Sequence, residues 1–123
     1  MKEYIVEPTV STPYIYFDGE LGILEIKGRS LPDNPKEIFD YLINKVLEDY
    51  VKNPLATTKV NISLEYFNTS TSMWLFHLFK KLENLVIEKF TVEVNWYCDD
   101  YDIYETADEF KSVINIPFNL IRT

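Results

Sequence analysis

The chain has 123 residues, of which 46% are hydrophobic and 26% charged, and this composition is typical of one globular domain rather than a disordered segment. Twelve basic and twenty acidic residues give a formal net charge of −8, which makes nucleic acid and anionic lipid poor partners. One cysteine, Cys98, excludes an internal disulfide. Because neither a signal peptide nor a bilayer-spanning apolar run is recognisable, we expect a cytoplasmic protein.

The first half of the chain predicts a strand pair followed by a helix. Residues 1–10 lack periodicity and are predicted to form a loose N-terminal arm before a single domain over residues 11–123. Residues 14–18 and 23–27 predict two strands joined by a hairpin turn, with Gly28 ending the second strand. A helix is predicted from Asn34 to Tyr50, with Asn34 as its cap and Glu37 reaching back to the cap amide.

The second half alternates strands with helices. Residues 59–67 and 90–97 alternate apolar and polar side chains as strands do, and residues 71–88 and 100–113 show helical spacing. Residues 114–121 are predicted to hold a short last strand, which Pro117 places at an edge. The order β-β-α-β-α-β-α, with a possible final β, predicts an α/β domain with a mixed, mostly parallel sheet. We expect functional residues in the loops at the carboxyl ends of its parallel strands.

One of these loops is rich in side chains that suit a helix start. Asn68 and the hydroxyls of Thr69, Ser70, Thr71 and Ser72 lie between a predicted strand and a predicted helix. A helix start has unpaired amides and a partial positive charge, so it favours both capping side chains and anions. The residues alone leave three interpretations open: a capping cluster, a phosphoacceptor, or a cradle for an anion. The loop has no glycine and no following lysine, so it is not a P-loop.

The remaining chemistry-bearing residues do not form a recognisable catalytic set. His77 is predicted to be a partly buried structural histidine, and Cys98 an inert thiol, because neither has a sequence companion. The carboxylates of residues 99–102 suit a helix start, where they complement the helix dipole. Binding of a hard cation is the less favoured interpretation, because EF-hand spacing is absent. Trp74 lies near the hydroxyl loop and is predicted either to face a partner or to cover the sheet. No enzyme activity, metal or cofactor is predicted.

Four segments together resemble the SiaC-like family of bacterial regulatory phosphoproteins. They are Ser11-Thr12-Pro13, Gly28-Arg29-Ser30-Leu31-Pro32-Asp33-Asn34, Tyr66-Phe67-Asn68-Thr69-Ser70-Thr71 and Trp96-Tyr97-Cys98-Asp99. Pro117-Phe118 also fits the closing segment of the family. The likeness covers roughly residues 11 to 121, and its motifs occur in the family's order.

The resemblance implies a fold similar to the STAS-type anti-sigma factor antagonists and a non-catalytic signalling switch. In that family a protein kinase phosphorylates one threonine and a PP2C-type phosphatase removes the phosphate. The unphosphorylated form binds and activates a diguanylate cyclase, which raises cyclic di-GMP and promotes biofilm growth. The resemblance makes Thr69 the phosphoacceptor, within a loop that includes Asn68, Ser70 and Thr71.

The resemblance also implies a partner-binding surface beside that loop. Its expected residues are Arg29, Leu31, Pro32, Asp33, Asn34 and Trp74. Leu31 stands where the family commonly has an aromatic residue, Asp33 where it has glutamate and Thr71 where it has serine. These differences leave the identity of the partner open. The competing hypothesis is a domain that binds a small anion or nucleotide at the Asn68–Ser72 helix start without being modified.

Overall fold

The computed structural model describes residues 3–123 and contains one six-stranded sheet. Its strands are β1 (Glu3–Val6), β2 (Tyr14–Asp18), β3 (Ile23–Ser30), β4 (Thr57–Phe67), β5 (Thr91–Cys98) and β6 (Phe118–Arg122). They lie side by side in chain order, with β1 to β3 antiparallel and β3 to β6 parallel. The predicted single α/β domain with a mostly parallel sheet is confirmed, and β4 lies in the sheet interior.

Three helices connect the parallel strands. Helix α1 starts as Pro35–Tyr41, continues as a π-helical segment at Leu42–Leu47 and ends with the turn Glu48–Tyr50, while α2 is Thr69–Ile87 and α3 is Tyr101–Val113. Right-handed crossovers that all advance in one direction place every helix on the same face of the sheet. The burial of the strands agrees, since Ile26 and Ile62 are fully buried whereas the alternate Lys27 and Ser63 are exposed.

Two predictions about the first strands are wrong. Within the predicted loose arm, Glu3–Val6 forms β1 and pairs with β2, with Tyr4 opposite Phe17 and Val6 opposite Ile15. Pairing to a hairpin edge needs no strong local signal, so four residues of weak periodicity become ordered by their neighbour. Residues 1 and 2 of that arm lie outside the described residues.

The other correction concerns Gly28, which does not end its strand. Strand β3 continues to Ser30, and its register against β4 shifts between Gly28 and Arg29. Gly28 has a φ of 101°, a conformation that other residues adopt only with strain. The irregularity therefore extends β3 while changing the direction of its last residues.

An aromatic cluster supports the carboxyl ends of the central strands. Trp96 on β5 is fully buried and stacks on Phe110 of α3 with 5.7 Å between ring centroids. Its ring also lies 6.0 Å from the ring of Phe67, the last residue of β4. Fully burying such side chains contributes about 1.5–3 kcal/mol each. The loop that follows Phe67 is thus held on well-packed core.

Candidate functional site

Strands β3 to β6 end on the same side of the sheet, which we call the carboxyl edge. Buried hydroxyls there join the end of β3 to the start of α2, the helix that follows β4. The hydroxyl oxygens of Ser30 and Thr71 lie 2.9 Å apart, and both residues have no exposed surface. The Thr71 hydroxyl also lies 3.1 Å from the carbonyl oxygen of Ser30. The backbone amide of Asn68 donates to that same carbonyl at 3.1 Å. These contacts fix the start of α2 against the end of β3.

Asn68 is the N-cap of α2. Its side-chain oxygen accepts hydrogen bonds from the Thr71 amide at 2.9 Å and from the Thr71 hydroxyl at 2.8 Å. Its side-chain nitrogen donates to the carbonyl of Pro32 at 3.4 Å. The cap function among the hydroxyl cluster therefore belongs to Asn68, and the role of Thr71 is to lock the junction from inside.

Thr69 and Ser70 occupy the first turn of α2 and are exposed. Their backbone amides have no hydrogen-bond partner among the described residues, as expected for the first residues of a helix. The first turn of α2 contains no acidic side chain. The Thr69 hydroxyl is thus accessible at a helix start whose positive partial charge is not neutralised by the chain itself.

The 29–34 loop, by which we mean the last two residues of β3 and the four residues before α1, lies beside this junction, as the predicted topology requires. The Leu31 amide donates to the carbonyl of Ser11 at 2.7 Å, which ties the loop to the segment before β2. Pro32 is buried, and Leu31 is half-buried. Arg29 is exposed, lies opposite Tyr66 in the β3–β4 register, and forms no ion pair among residues 3–123.

Asp33 and Asn34 are exposed at the end of the loop, where α1 begins. The predicted side-chain cap by Asn34 is wrong, because its side chain makes no capping hydrogen bond. Only its backbone carbonyl accepts from the Glu37 amide, at 3.2 Å. The capping box fails because Asn34 has φ −129° and ψ 87°, outside the extended geometry seen at the caps of α2 and α3. Both side chains remain available at the surface.

Trp74 packs against the core with part of its side chain exposed, and its role in facing a partner stays a prediction. It lies one turn beyond the hydroxyl loop. Its ring lies edge-on to that of His77, with 5.8 Å between centroids. The prediction that His77 is partly buried is wrong, since the residue is exposed on α2. Position 77 lies between the core positions Leu75 and Leu78, so its neighbours in sequence are buried but its own side chain is not.

Sequence reasoning missed three residues of this region. Ser30 is predicted only as part of the segment of residues 28–34 and with no role of its own, although its register opposite Phe67 places it against the residue before the cap. Tyr66 and Met73 are 54% and 62% exposed, unusually high for large apolar side chains. Met73 follows Thr69 by four residues on α2 and therefore shares its helix face. That spacing was a readable signal for Met73, whereas nothing local in the sequence indicates Ser30.

The loop after β5 differs from the loop after β4. The Asp100 carboxylate caps α3 by accepting from the amides of Asp102 and Ile103 at 2.8 and 3.3 Å. Within the described part of the chain, no group of three or more His, Cys, Asp and Glu side chains is arranged to hold a metal ion. Cys98 is buried, and burial raises the pKa of its thiol. No helix formed by residues 3–123 is long and apolar enough to cross a membrane.

Comparison with known proteins places this geometry in a family. A family model described as SiaC family regulatory phosphoprotein matches residues 6–123. The chain belongs to the SiaC family. An uncharacterised Pseudomonas aeruginosa protein, PA14_02130, is 28% identical over 120 residues, which cover 96% of this chain and 94% of that protein. The resemblance identified from the loop segments is therefore confirmed.

Solved structures of SiaC have the same fold. The crystal structure of apo-SiaC from Pseudomonas aeruginosa superposes with a TM-score of 0.91 at 27% identity, covering 98% of this chain and 99% of that one. The structure of the diguanylate cyclase SiaD in complex with its activator SiaC, from the same species, contains a chain with a TM-score of 0.91 and 26% identity, at the same coverage. The similarity to STAS-type proteins stays a prediction.

Proposed function

We propose that this protein is a non-catalytic signalling switch controlled by reversible phosphorylation of Thr69. In its unphosphorylated form it binds and activates a partner such as a diguanylate cyclase, and thereby regulates cyclic di-GMP and biofilm growth. The observation that carries the proposal is the exposed Thr69 hydroxyl at the start of α2, on a junction locked from inside by Ser30 and Thr71. Membership of a family of regulatory phosphoproteins supports it.

The junction can accept a phosphate without unfolding. A phosphate on Thr69 lies beside amides of the first turn that have no partner among the described residues, and the helix dipole favours its charge. Since Thr69 is exposed, no buried contact has to break. The locking contacts of Thr71 and Asn68 lie beneath the surface and are unchanged. Phosphorylation therefore alters the surface and leaves the fold as it is.

The same phosphate changes the partner surface strongly. It adds about −1.5 to −2 charges at neutral pH where a neutral hydroxyl stood. A partner in contact with Thr69 has to desolvate that charge or dissociate, and the net charge of −8 already makes the surface acidic. We therefore expect the phosphorylated form to release the partner.

The proposed partner surface extends from Thr69 to both sides of the junction. It comprises Arg29, Leu31, Pro32, Asp33, Asn34 and Trp74, together with the exposed Tyr66 and Met73. Arg29 contributes a cation without an ion pair in the described structure, and the apolar side chains contribute contact area. The buried Pro32 positions the loop and does not itself offer a large contact area.

The switch needs a protein kinase and a PP2C-type phosphatase as further partners, and no cofactor. A kinase draws on cellular ATP, so we expect the protein to act in the cytoplasm. A non-catalytic role is supported by the Cys98 thiol, which is buried and has a raised pKa, and by His77, whose ring contacts among the described residues are those with Trp74 and Phe76. Neither side chain has a base or nucleophile against it.

The experiment compares unmodified protein, Thr69→Ala, Thr69→Glu and protein carrying phosphothreonine at position 69. Each is titrated against a diguanylate cyclase of the source organism, and cyclase activity is measured in parallel. We expect Thr69→Ala to bind like wild type and phosphothreonine to weaken binding at least about 100-fold, which is about 2.7 kcal/mol. The Glu variant should fall between them because a carboxylate carries less charge than a phosphate.

Thr91→Glu is the matched control, because Thr91 is an exposed threonine at the opposite edge of the sheet, where β5 begins. It should leave cyclase binding unchanged. Equal binding by the unmodified and phosphothreonine proteins would refute the switch. If unmodified protein instead binds inorganic phosphate or GTP at the Asn68–Ser72 helix start, with amide shifts confined to Thr69 and Ser70, the anion-binding alternative holds.

A further inference from the structure

A groove lies between α2 and α3. It has a volume of about 400 Å³, within the usual range of roughly 300–1,000 Å³ for binding pockets. Its lining residues are Ser72, Phe76, Thr106, Glu109, Phe110, Ser112 and Val113. None of these residues belongs to the partner surface proposed above.

The floor of the groove is apolar and firmly supported. Phe110 is 7% exposed and stacks on the buried Trp96, so it cannot easily move aside. Phe76 is half-buried, and Val113 is 57% exposed. An aliphatic residue this exposed at a groove lined by two phenyl rings gains free energy when another apolar group covers it.

Two of the three hydroxyls that line the groove, those of Thr106 and Ser112, already donate within α3. The Thr106 hydroxyl donates to the carbonyl of Asp102 at 3.1 Å, and the Ser112 hydroxyl donates to the carbonyl of Glu109 at 2.7 Å. Their hydrogen-bond donors are thus used within α3. What the wall offers an occupant is mainly carbon, so the groove suits an apolar side chain better than a sugar or a nucleotide.

The rim of the groove is negatively charged. Glu109 lines the groove and is exposed, and Asp102 and Glu105, each one turn before a lining residue of α3, are exposed as well. No ion pair joins these three carboxylates to any described residue. On the α2 side, Lys80 lies over the ring of Phe76 but is paired with Glu83 at 3.1 Å. The charge left without a counterion along the groove is therefore acidic.

We infer that this groove binds an amphipathic helix of a partner protein, with apolar anchors facing inward and lysine or arginine side chains along its flanks. Two parallel helices present no free backbone edge, so an added strand is excluded and a third packed helix fits. A second copy of this chain is disfavoured, because each copy carries a net charge of −8. The groove adjoins the Thr69 surface on α2, since Ser72 follows Thr69 by three residues, but Phe76 and the residues of α3 form most of its lining.

The test uses a displayed library of helical peptides about four turns long, about 15 residues, randomised on one face and selected on the wild-type protein. We expect enriched peptides to combine two apolar residues at i, i+3 or i+4 spacing with a net positive charge. Glu109→Lys and Val113→Lys should each weaken a selected peptide at least about tenfold. Both positions are exposed, so folding is retained.

Glu88→Lys and Ile87→Lys are matched controls, since they make the same two changes at exposed positions beyond the groove. They should change affinity less than about twofold. Enrichment of acidic or purely polar peptides would overturn the proposal, and so would equal losses in the groove and control variants. Dimerisation of the free protein that Val113→Lys abolishes would make a second copy the occupant. Loss of the Thr69 switch with peptide binding intact would refute only the proposed function.

Discussion

The β4–α2 and β5–α3 junctions both join a parallel strand to a helix. Their helix starts differ in charge and in whether their hydrogen bonds extend to other parts of the chain. Helix α2 starts with a neutral amide cap, Asn68, and has no acid in its first turn. Helix α3 starts with a carboxylate cap, Asp100, and carries Asp102 in its first turn. The dipole of α3 is thus neutralised by the chain, whereas that of α2 is left open to an added anion.

The two junctions also differ in what they hold together. Among the described residues, the Asp100 side chain accepts hydrogen bonds from the amides two and three residues ahead of it, within its own helix. Asn68 and Thr71 reach across to Ser30 and Pro32, which belong to a different strand and loop. Adding a charge to an exposed residue disturbs the fold least where the structure beneath that residue is hydrogen-bonded to its surroundings. Under the proposed switch, these contacts would hold the junction in place when Thr69 gains a charge.

The largest expected stability difference between the junctions comes from Thr71→Val. This change removes a buried hydroxyl that contacts Ser30 and Asn68, and leaves the Ser30 hydroxyl without that partner. Valine and threonine have similar helix propensity, so the loss of hydrogen bonds dominates. We expect the free energy of unfolding to fall by about 1–3 kcal/mol, measured by urea denaturation.

Thr106→Val is the matched control at the other helix. Its hydroxyl bonds only to the carbonyl of Asp102, one turn earlier in α3, at a part-exposed position. Its replacement should cost less than about 0.5 kcal/mol. Thr71→Ser, which keeps the hydroxyl, should recover most of the loss. Equal costs for Thr71→Val and Thr106→Val would contradict the internal lock.

The contact between Ser30 and Thr71 also shows the limit of what could be predicted from the sequence. Strand alternation and helical spacing predicted the order of β2 to β6 along the chain, because these patterns report burial directly. The contact between Ser30 and Thr71 joins positions 41 residues apart, so no local pattern contains it. The same holds for β1, whose residues become ordered through β2, and for the irregularity at Gly28, which depends on its partner strand.

The kind of site was predictable from the sequence, but the separate role of each of its residues was not. The cluster Asn68–Ser72 indicated a helix start, which the structure places at Thr69 rather than at the predicted residue 71, and the sequence left capping, phosphorylation and anion binding open. Only the structure separates the cap Asn68, the buried lock Thr71 and the exposed Thr69. Adjacent hydroxyls look alike in sequence, whereas the 100° turn between successive helical residues sends one inward and another to solvent.

A second, smaller difference is expected between the two caps. Asn68→Ala should lower the free energy of unfolding by about 1–2 kcal/mol and Asp100→Ala by about 1 kcal/mol. The Asn68 variant costs more because it also removes the bonds to the Thr71 hydroxyl and the Pro32 carbonyl. Hydrogen exchange gives a sharper readout. Loss of Asn68 should speed exchange in the 29–34 loop, whereas loss of Asp100 should speed it only at the start of α3. Exchange changes confined to α2 would mean that the cap does not hold the loop.

The smallest effect is expected from an acid placed at the first position of each helix. Thr69→Glu adds a negative charge to a helix start that has none, so we expect stability to rise by about 0.3–1 kcal/mol, or about 1–4 °C in Tm. Tyr101→Glu makes the equivalent change in α3, where Asp100 and Asp102 already supply negative charge, and should gain nothing or lose stability. The gain at Thr69 should shrink as salt rises from 0.05 to about 0.5 M, since the interaction is exposed and screened. If Thr69→Glu instead lowers Tm, Thr69 makes a structural contribution that its exposure does not reveal. The helix start of α2 would then be a poor site for a phosphate.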